Sequence, residues 1–472
     1  MPVLLTLLLS ACAINPVTGQ QELMLLSEAD ERQLGSQTDL SVVEQYGFYP
    51  DGALNSYVDS LGQQMARLSH RPQLDWSFKV MDSPVVNAFA APGGYIYVTR
   101  GLLAAVNDEA ELAGVLGHEI AHVTARHSAR RYSQTLLTSL GVGLGVSLAG
   151  DYGDVIEPLL QVGTGLLFLK YSRDDERQAD ALAVEYASKA GFDAGQLANF
   201  FDSLERMNAR EGEGGRLPEF FSTHPSPENR QASVRQMAAD WQRRLPERTL
   251  RRDHKGYLQR INGLVYGDDP RKGFREGDWY YLPEPGVQFR IPDEWSFDRS
   301  ALQARMAAAD KKALVLFEVK EGTGLDAALS EFVEGMQAKV LKSTTGTRAG
   351  LPSRQVISQV SDQQRTIRIQ SDFILGQGQI FVFHGLAEDA EFPSRHALLA
   401  GPAASFAKIA DQNKRERQPR RIQIKAAPQS TSMQAFLRAQ GVDKELWQEV
   451  AWLNGKQLTD QVAVGEWLKV AK

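Results

Sequence analysis

Asp108–Arg131 reads DEAELAGVLGHEIAHVTARHSARR, and its centre is His118-Glu119-Ile120-Ala121-His122. Leu112, Val115, Leu116, Ile120 and Val123 recur at helical spacing. Residues four apart on a helix share a face, so His118 and His122 can offer ring nitrogens to one ion. Glu119 lies beside that face, where its carboxylate can hold a water rather than the ion. A catalytic zinc takes three protein ligands and keeps one position open, so a third ligand is expected elsewhere. A histidine six residues past His122 would complete one such set, but Ser128 stands there, and Ala125 stands where that pattern has glycine. His127 falls one residue short and reads as a supporting or structural residue. Tyr171–Asp180, YSRDDERQAD, offers another source: Glu176, with Asp174 and Asp175 as rivals on the same acidic helix. Asp180, one turn beyond Glu176, is spaced to accept the free N–H of a ligating histidine.

The chain has 472 residues, too many for one compact core, and 43% hydrophobic with 23% charged residues is ordinary globular composition. A net charge of -6 makes no electrostatic case for nucleic acid. There is no phosphate-cradling G-x-x-x-x-G-K-[ST] loop, no G-x-S-x-G elbow and no C-x-x-C pair. A single cysteine excludes an internal disulfide and a cysteine-cluster zinc site. That cysteine, Cys12, ends the apolar run Met1–Ala11 at Leu9-Ser10-Ala11-Cys12, which resembles the cleavage site of a bacterial lipoprotein signal peptide. No Lys or Arg precedes the run. The resemblance implies lipid attached at Cys12, and Ala13 after it leans towards the outer membrane.

Ser27-Glu28-Ala29-Asp30 opens a helix to about Tyr46, and a second should cover Leu54–Leu68. Trp76–Met81 reads as a strand, and Val85–Ala90 and Gly94–Thr99 flank a Pro92-Gly93-Gly94 turn. Tyr132–Gly150 carries no charge and, with Pro158–Leu169, reads as a helical hairpin beside the site or on a membrane surface. Ser172–Ala190 reads as a helix stopped by Gly191, and Asn208–Arg216 as a mobile loop. Beyond Arg252 strands at Val287–Ile291, Ala313–Glu318, Gln355–Val360, Thr366–Leu375 and Gln379–Leu386 alternate with helices at Leu325–Val340 and Pro402–Gln412. That order, with its FRIPDEW turn, resembles the small α/β sandwiches of the PsbP or Mog1 sort. Lys414–Arg421, KRERQPRR, is a basic linker. The tail, with its Leu453-Asn454-Gly455 turn and Val464–Val470 strand, resembles a LysM repeat, although Gln429-Ser430-Thr431-Ser432 stands where Gly-Asp-Thr is usual.

Four motifs in order carry a wider likeness: Asn87-Ala88-Phe89-Ala90, HEIAH, SRDDERQAD and Phe221-Ser222-Thr223-His224-Pro225-Ser226-Pro227. Over residues 15–250 they resemble the gluzincin metallopeptidases of family forty-eight, in particular its periplasmic branch that polices β-barrel assembly. The resemblance implies one zinc ion per chain held by His118, His122 and Glu176, with Asp180 behind them and Glu119 as the catalytic base. It implies substrate extended along the edge strand Asn87, Ala88, Phe89 and Ala90. It also implies His224 at the zinc, either holding the enzyme latent or supporting the oxyanion, with Arg230 beside it.

The expected fold is α+β. A signal segment, 1–12, precedes a mainly helical zincin domain with a small edge-strand sheet, 13–252. An α/β sandwich, 253–413, a linker, 414–422, and a LysM-like unit, 423–472, follow. The expected function is zinc-dependent endoproteolysis of misfolded or misassembled bacterial envelope proteins at the periplasmic face of the outer membrane. Expected partners are those proteins, the membrane through the lipid anchor, and peptidoglycan through the LysM-like unit. The competing class is a chaperone or peptidoglycan-associated scaffold with a latent protease site.

Overall fold

The computed structural model describes residues 12–141, 170–208, 220–245, 249–299, 303–361 and 365–472. A short antiparallel hairpin, β1 (Cys12–Ile14) and β2 (Gln21–Leu23), comes first. Helix α1 (Glu28–Tyr46) starts at a capping box in which Ser27 and Asp30 exchange side-chain and backbone hydrogen bonds. Helix α2 (Gly52–Ala66) is capped by Asp51. Strand β3 (Ser77–Met81), β4 (Ala88–Ala91) and β5 (Tyr95–Thr99) form one sheet in the order β3-β5-β4, which leaves β4 at its edge. The β4–β5 turn needs Gly93 and Gly94, at φ 85° and 108°.

Two helices then build the interior. After α3 (Arg100–Ala105), α4 (Glu109–Thr124) begins at Asp108, whose carboxylate accepts from Glu111 N at 2.8 Å. Every residue of α4 is buried, so its two histidines and three glutamates are cut off from water. Gly117 explains how α6 (Arg173–Lys189) comes close enough to supply partners: a Cβ there would sit 3.2 Å from Ala183 Cα and 2.9 Å from Met65 Cε. Helix α6 itself starts at a second capping box, Ser172 with Asp175. Between α4 and α5 (His127–Gly141) the chain breaks at Arg126, which takes φ 58°. Arg126 Nε donates to Glu31 at 2.5 Å and its Nη2 to Leu26 O at 2.8 Å, which pins the break to the start of α1. Helices α7 (Gln196–Asn208), α8 (Phe220–Thr223) and α9 (Arg230–Arg244) follow, with a short helix at His254–Arg260 beyond them.

The C-terminal residues belong to the same compact unit. Strands Arg420–Ala426 and Trp467–Ala471 pair antiparallel around helices Met433–Ala439 and Trp447–Leu453, and Val265–Tyr266 joins as a third strand. Lys469 is buried and its Nζ donates to Ala104 O at 2.8 Å and Val106 O at 2.9 Å, just ahead of α4. Burial lowers its pKa to about 7 despite Glu111 and Asp108 nearby. The unit therefore runs across the sequence boundaries at 252 and 422, taking in residues up to 267 and from 420 onwards.

The second unit, 268–419 among the described residues, is built on a seven-stranded antiparallel sheet. Its order is Ser296–Arg299, Gln303–Ala307, Leu314–Glu321, Gln379–Glu388, Thr366–Leu375, Leu351–Ser361, Lys339–Arg348. Helix Leu325–Gly335 packs on one face, with Phe332 stacked on His384. Helix Phe392–Ala404 packs on the other, with Leu399 in the apolar layer there. Two elements differ from the sequence expectation. The helix expected to reach Val340 stops at Gly335, because Gln337 turns left-handed at φ 48° and Lys339–Arg348 becomes a strand. The last helix lies at Phe392–Ala404, with Pro402 near its end rather than at its start.

Helix α5 carries the uncharged run as far as Gly141. The rest of the expected hairpin, the segment Met1–Ala11 and most of the Asn208–Arg216 loop lie outside the described residues. No helix among the described residues is long and apolar enough to cross a membrane.

Candidate metal and active site

Helix α4 turns His118 and His122 towards the first turn of α6, where the capping box sets Glu176. The two Nε2 atoms lie 3.0 Å apart. Glu176 Oε2 is 3.4 Å from the first and its Oε1 is 3.4 Å from the second. His224, just past α8, adds Nδ1 at 3.4 Å from His118 Nε2 and 3.0 Å from Glu176 Oε1. All four residues are buried, and one ligand atom from each lies within 4.8 Å of the others.

Such spacing suits an ion. A tetrahedral ion with bonds of roughly 2.0–2.1 Å spreads its donors roughly 3.3 Å apart. Charge agrees. Glu119, Glu176 and Asp180 are buried carboxylates, and Arg230 is the one guanidinium placed among them. With neutral imidazoles that cluster is two charges negative, which a divalent cation balances. The electrostatics of the individual groups carry the same demand for positive charge. Burial opposes charge on His118, yet Glu176 and Asp180 raise its pKa to about 9. Burial would raise the Glu176 carboxyl, but His224 and His118 hold it well below the usual carboxylate range. His122 is pushed well down, chiefly by burial.

The groups behind these donors are ordered as well. His118 Nδ1 donates to Asp180 Oδ1 at 2.9 Å, which leaves its Nε2 lone pair facing the cluster. Arg230 holds Asp180 with two hydrogen bonds, 2.9 Å from Nε and 2.7 Å from Nη2, and its Nη2 lies 3.1 Å from Glu176 Oε2. His122 Nδ1 lies 2.9 Å from His127 Nδ1, and Tyr171 stacks on the His122 ring at 3.8 Å. Phe220 stacks on His224 at 4.5 Å. Glu119 is different: both its carboxylate oxygens are buried with no hydrogen-bond partner among the described residues, and the nearest His224 nitrogen is 3.7 Å away. Burial raises its pKa, which favours a group that exchanges a proton.

The rivals to Glu176 are engaged elsewhere. Asp174 is exposed and pairs with Arg177. Asp175 is taken up by the Ser172 cap and by Arg130. Asn87 precedes β4, which holds Ala88, Phe89 and Ala90 and lies against α4. Cys12 opens β1, paired with Leu23. Sequence reading gave no task to Tyr171 or Gln178. The signal for Tyr171 was an aromatic residue directly ahead of the cap that starts the acidic helix.

Two buried imidazoles and a carboxylate from neighbouring helices, with a further carboxylate beside them, are the donors and base that a metallopeptidase needs. The model of Peptidase family M48 matches residues 53–238. Mitochondrial metalloendopeptidase OMA1 of Schizosaccharomyces pombe is 32% identical over 244 residues, covering 50% of this chain and 68% of that protein. The putative beta-barrel assembly-enhancing protease of Vibrio cholerae is 32% identical over 198 residues, and the chain spans only 40% of that relative's length. Among solved structures, cyanobacterial PsbP from Synechocystis matches 29% of this chain and 98% of its own at 14% identity, with a TM-score of 0.24. The chain belongs to peptidase family M48 and is a metalloendopeptidase.

Proposed function

We propose that this metalloendopeptidase is zinc-dependent, holds one zinc ion per chain, and cleaves misfolded or misassembled proteins of the bacterial cell envelope. The observation that carries this is the buried quartet His118, His122, Glu176 and His224 with Glu119 unpartnered beside it. In this reading His118, His122 and Glu176 are the ligands, with Asp180 and Arg230 fixing them. Zinc, when bound, acidifies a water and polarises the scissile carbonyl. Glu119 accepts the proton of the attacking water and passes it to the leaving amine. Strand β4, with Asn87 ahead of it, is the sheet edge at which an extended substrate would add as a further strand, and extended chains are what unfolded proteins supply; Ala88–Ala91 are buried in the structure. The envelope role draws on the printed name of the Vibrio cholerae relative and on the lipoprotein-like Leu9–Cys12. Peptidoglycan binding through 423–472 is a further part of the proposal, supported by the strand-helix-helix-strand order there. A complete donor set with a free base favours an enzyme over a scaffold.

His224 reads as the latch of this enzyme, since its Nδ1 sits among the ligand atoms. A hydrogen bond to a charged group stabilises by about 1.5–3 kcal/mol, so His224→Ala should speed cleavage of an unfolded protein by at least about tenfold. A slower variant would instead assign His224 to the oxyanion. For the anchor, Cys12→Ser should move the protein from the membrane to the soluble fraction. Retention on membranes would remove the lipid assignment.

A further inference from the structure

Helix α6 supplies Glu176 to the cluster and Asp180 to His118, and it carries a third polar side chain, Gln178, that nothing above employs. Gln178 Oε1 lies 2.9 Å from His127 Nε2, and His127 Nδ1 lies 2.9 Å from His122 Nδ1. Both imidazoles are buried, His122 fully and His127 at 1% exposure, so these nitrogens have no water to turn to.

The proton positions follow from that geometry. His122 ligates through Nε2, the atom 3.0 Å from His118 Nε2, so its own proton sits on Nδ1. That N–H needs an acceptor, and His127 Nδ1 is the atom in line. His127 can accept there only with its proton on Nε2, and that N–H finds the Gln178 carbonyl oxygen. The opposite arrangement, His127 donating to His122, would put the His122 proton on Nε2, facing the other donors. Arg126 makes the contact possible. Its left-handed turn ends α4 and returns the next residue towards His122, and Glu31 holds the turn in place.

We propose that His127, set by Gln178, is a positioning residue that fixes the tautomer and aim of His122 for the metal. The inference rests on the reading of His118, His122 and Glu176 as ligands. It makes α6 the source of one ligand and of the support behind both imidazoles, a carboxylate for His118 and a neutral relay for His122. Losing the partner behind a ligating histidine typically costs about 10–100-fold in metal affinity.

The test measures the zinc dissociation constant of the full chain by chelator competition, together with the visible absorption of its cobalt(II) form. His127→Leu fills the space and removes the acceptor, so it should weaken zinc binding by about 10–100-fold and shift the cobalt bands. His127→Asn places an oxygen near the Nδ1 position and should recover most of that loss. His127→Gln places it near Nε2 and should not. Gln178→Leu should weaken binding in the same direction, less than His127→Leu. Parent-like affinity and cobalt bands in His127→Leu would overturn the proposal while leaving the ligand set intact. Equal losses in His127→Leu and His127→Asn would also overturn it, because they would mark His127 as packing alone. A parent chain that binds neither metal would overturn the ligand set, and this inference with it.

Discussion

Glu119→Gln should keep its metal and cleave an unfolded protein such as casein about 10²–10⁴-fold more slowly than the parent. Glutamine keeps the shape of the side chain in a fully buried position, so packing along α4 is preserved. It cannot accept a proton. Neither oxygen of the native carboxylate is hydrogen-bonded among the described residues, while Glu176 and Asp180 are both engaged by Arg230. Burial raises its pKa, which brings it closer to that of the groups with which it exchanges protons. Cleavage by Glu119→Gln at the parent rate, with metal content unchanged, would remove Glu119 from the chemistry.

Glu176→Ala should abolish cleavage by a different route, through loss of the ion. Removing a partner behind a ligand typically costs about 10–100-fold in affinity, so removing a ligand itself should cost at least about 100-fold. The loss has a second signature in protein stripped of metal by chelation. Glu176 is the main group raising the His118 pKa, which stands at about 9 against an ordinary 6.5. A raised histidine pKa stabilises the fold fully below the unfolded value, and that stability is lost as pH rises through the folded value. Urea denaturation of the two stripped proteins should therefore show the parent losing stability relative to Glu176→Ala between about pH 6.5 and 9, a difference to which groups common to both, such as Lys469, do not contribute. A stripped variant with the same slope, or one that binds zinc like the parent, would place the third ligand elsewhere.

Much of this site was legible in local patterns. The spacing of His118 and His122 put them on one helical face, and the structure keeps them there, 3.0 Å apart at Nε2. The helix read over Ser172–Ala190 and the four-residue step from Glu176 to Asp180 were equally local, and α6 carries both residues. His127 was harder to place because spacing rules assume that a helix continues. The left-handed Arg126 breaks it and returns His127 to His122, so spacing could suggest a supporting role but not which residue it supports. The helix expected over Leu325–Val340 failed in a related way. Apolar periodicity ran on past Gly335, while the β-branched and small residues at Ser343–Thr347 belong to a strand whose partner lies beyond a tight turn at Ala349 and Gly350. The pairing of Arg420–Ala426 with Val265–Tyr266, and the reach of Lys469 to the carbonyls before α4, link residues far apart in sequence. No local pattern encodes such contacts, so the tail read as a separate unit.

Metal content tests the central claim most directly. The full chain, purified without chelators, supplied with zinc and desalted, is analysed for bound metal beside Glu119→Gln and Glu176→Ala. The account predicts one zinc per chain in the parent and in Glu119→Gln, and none retained by Glu176→Ala. A parent chain that retains no zinc and still cleaves unfolded casein at full rate would contradict it.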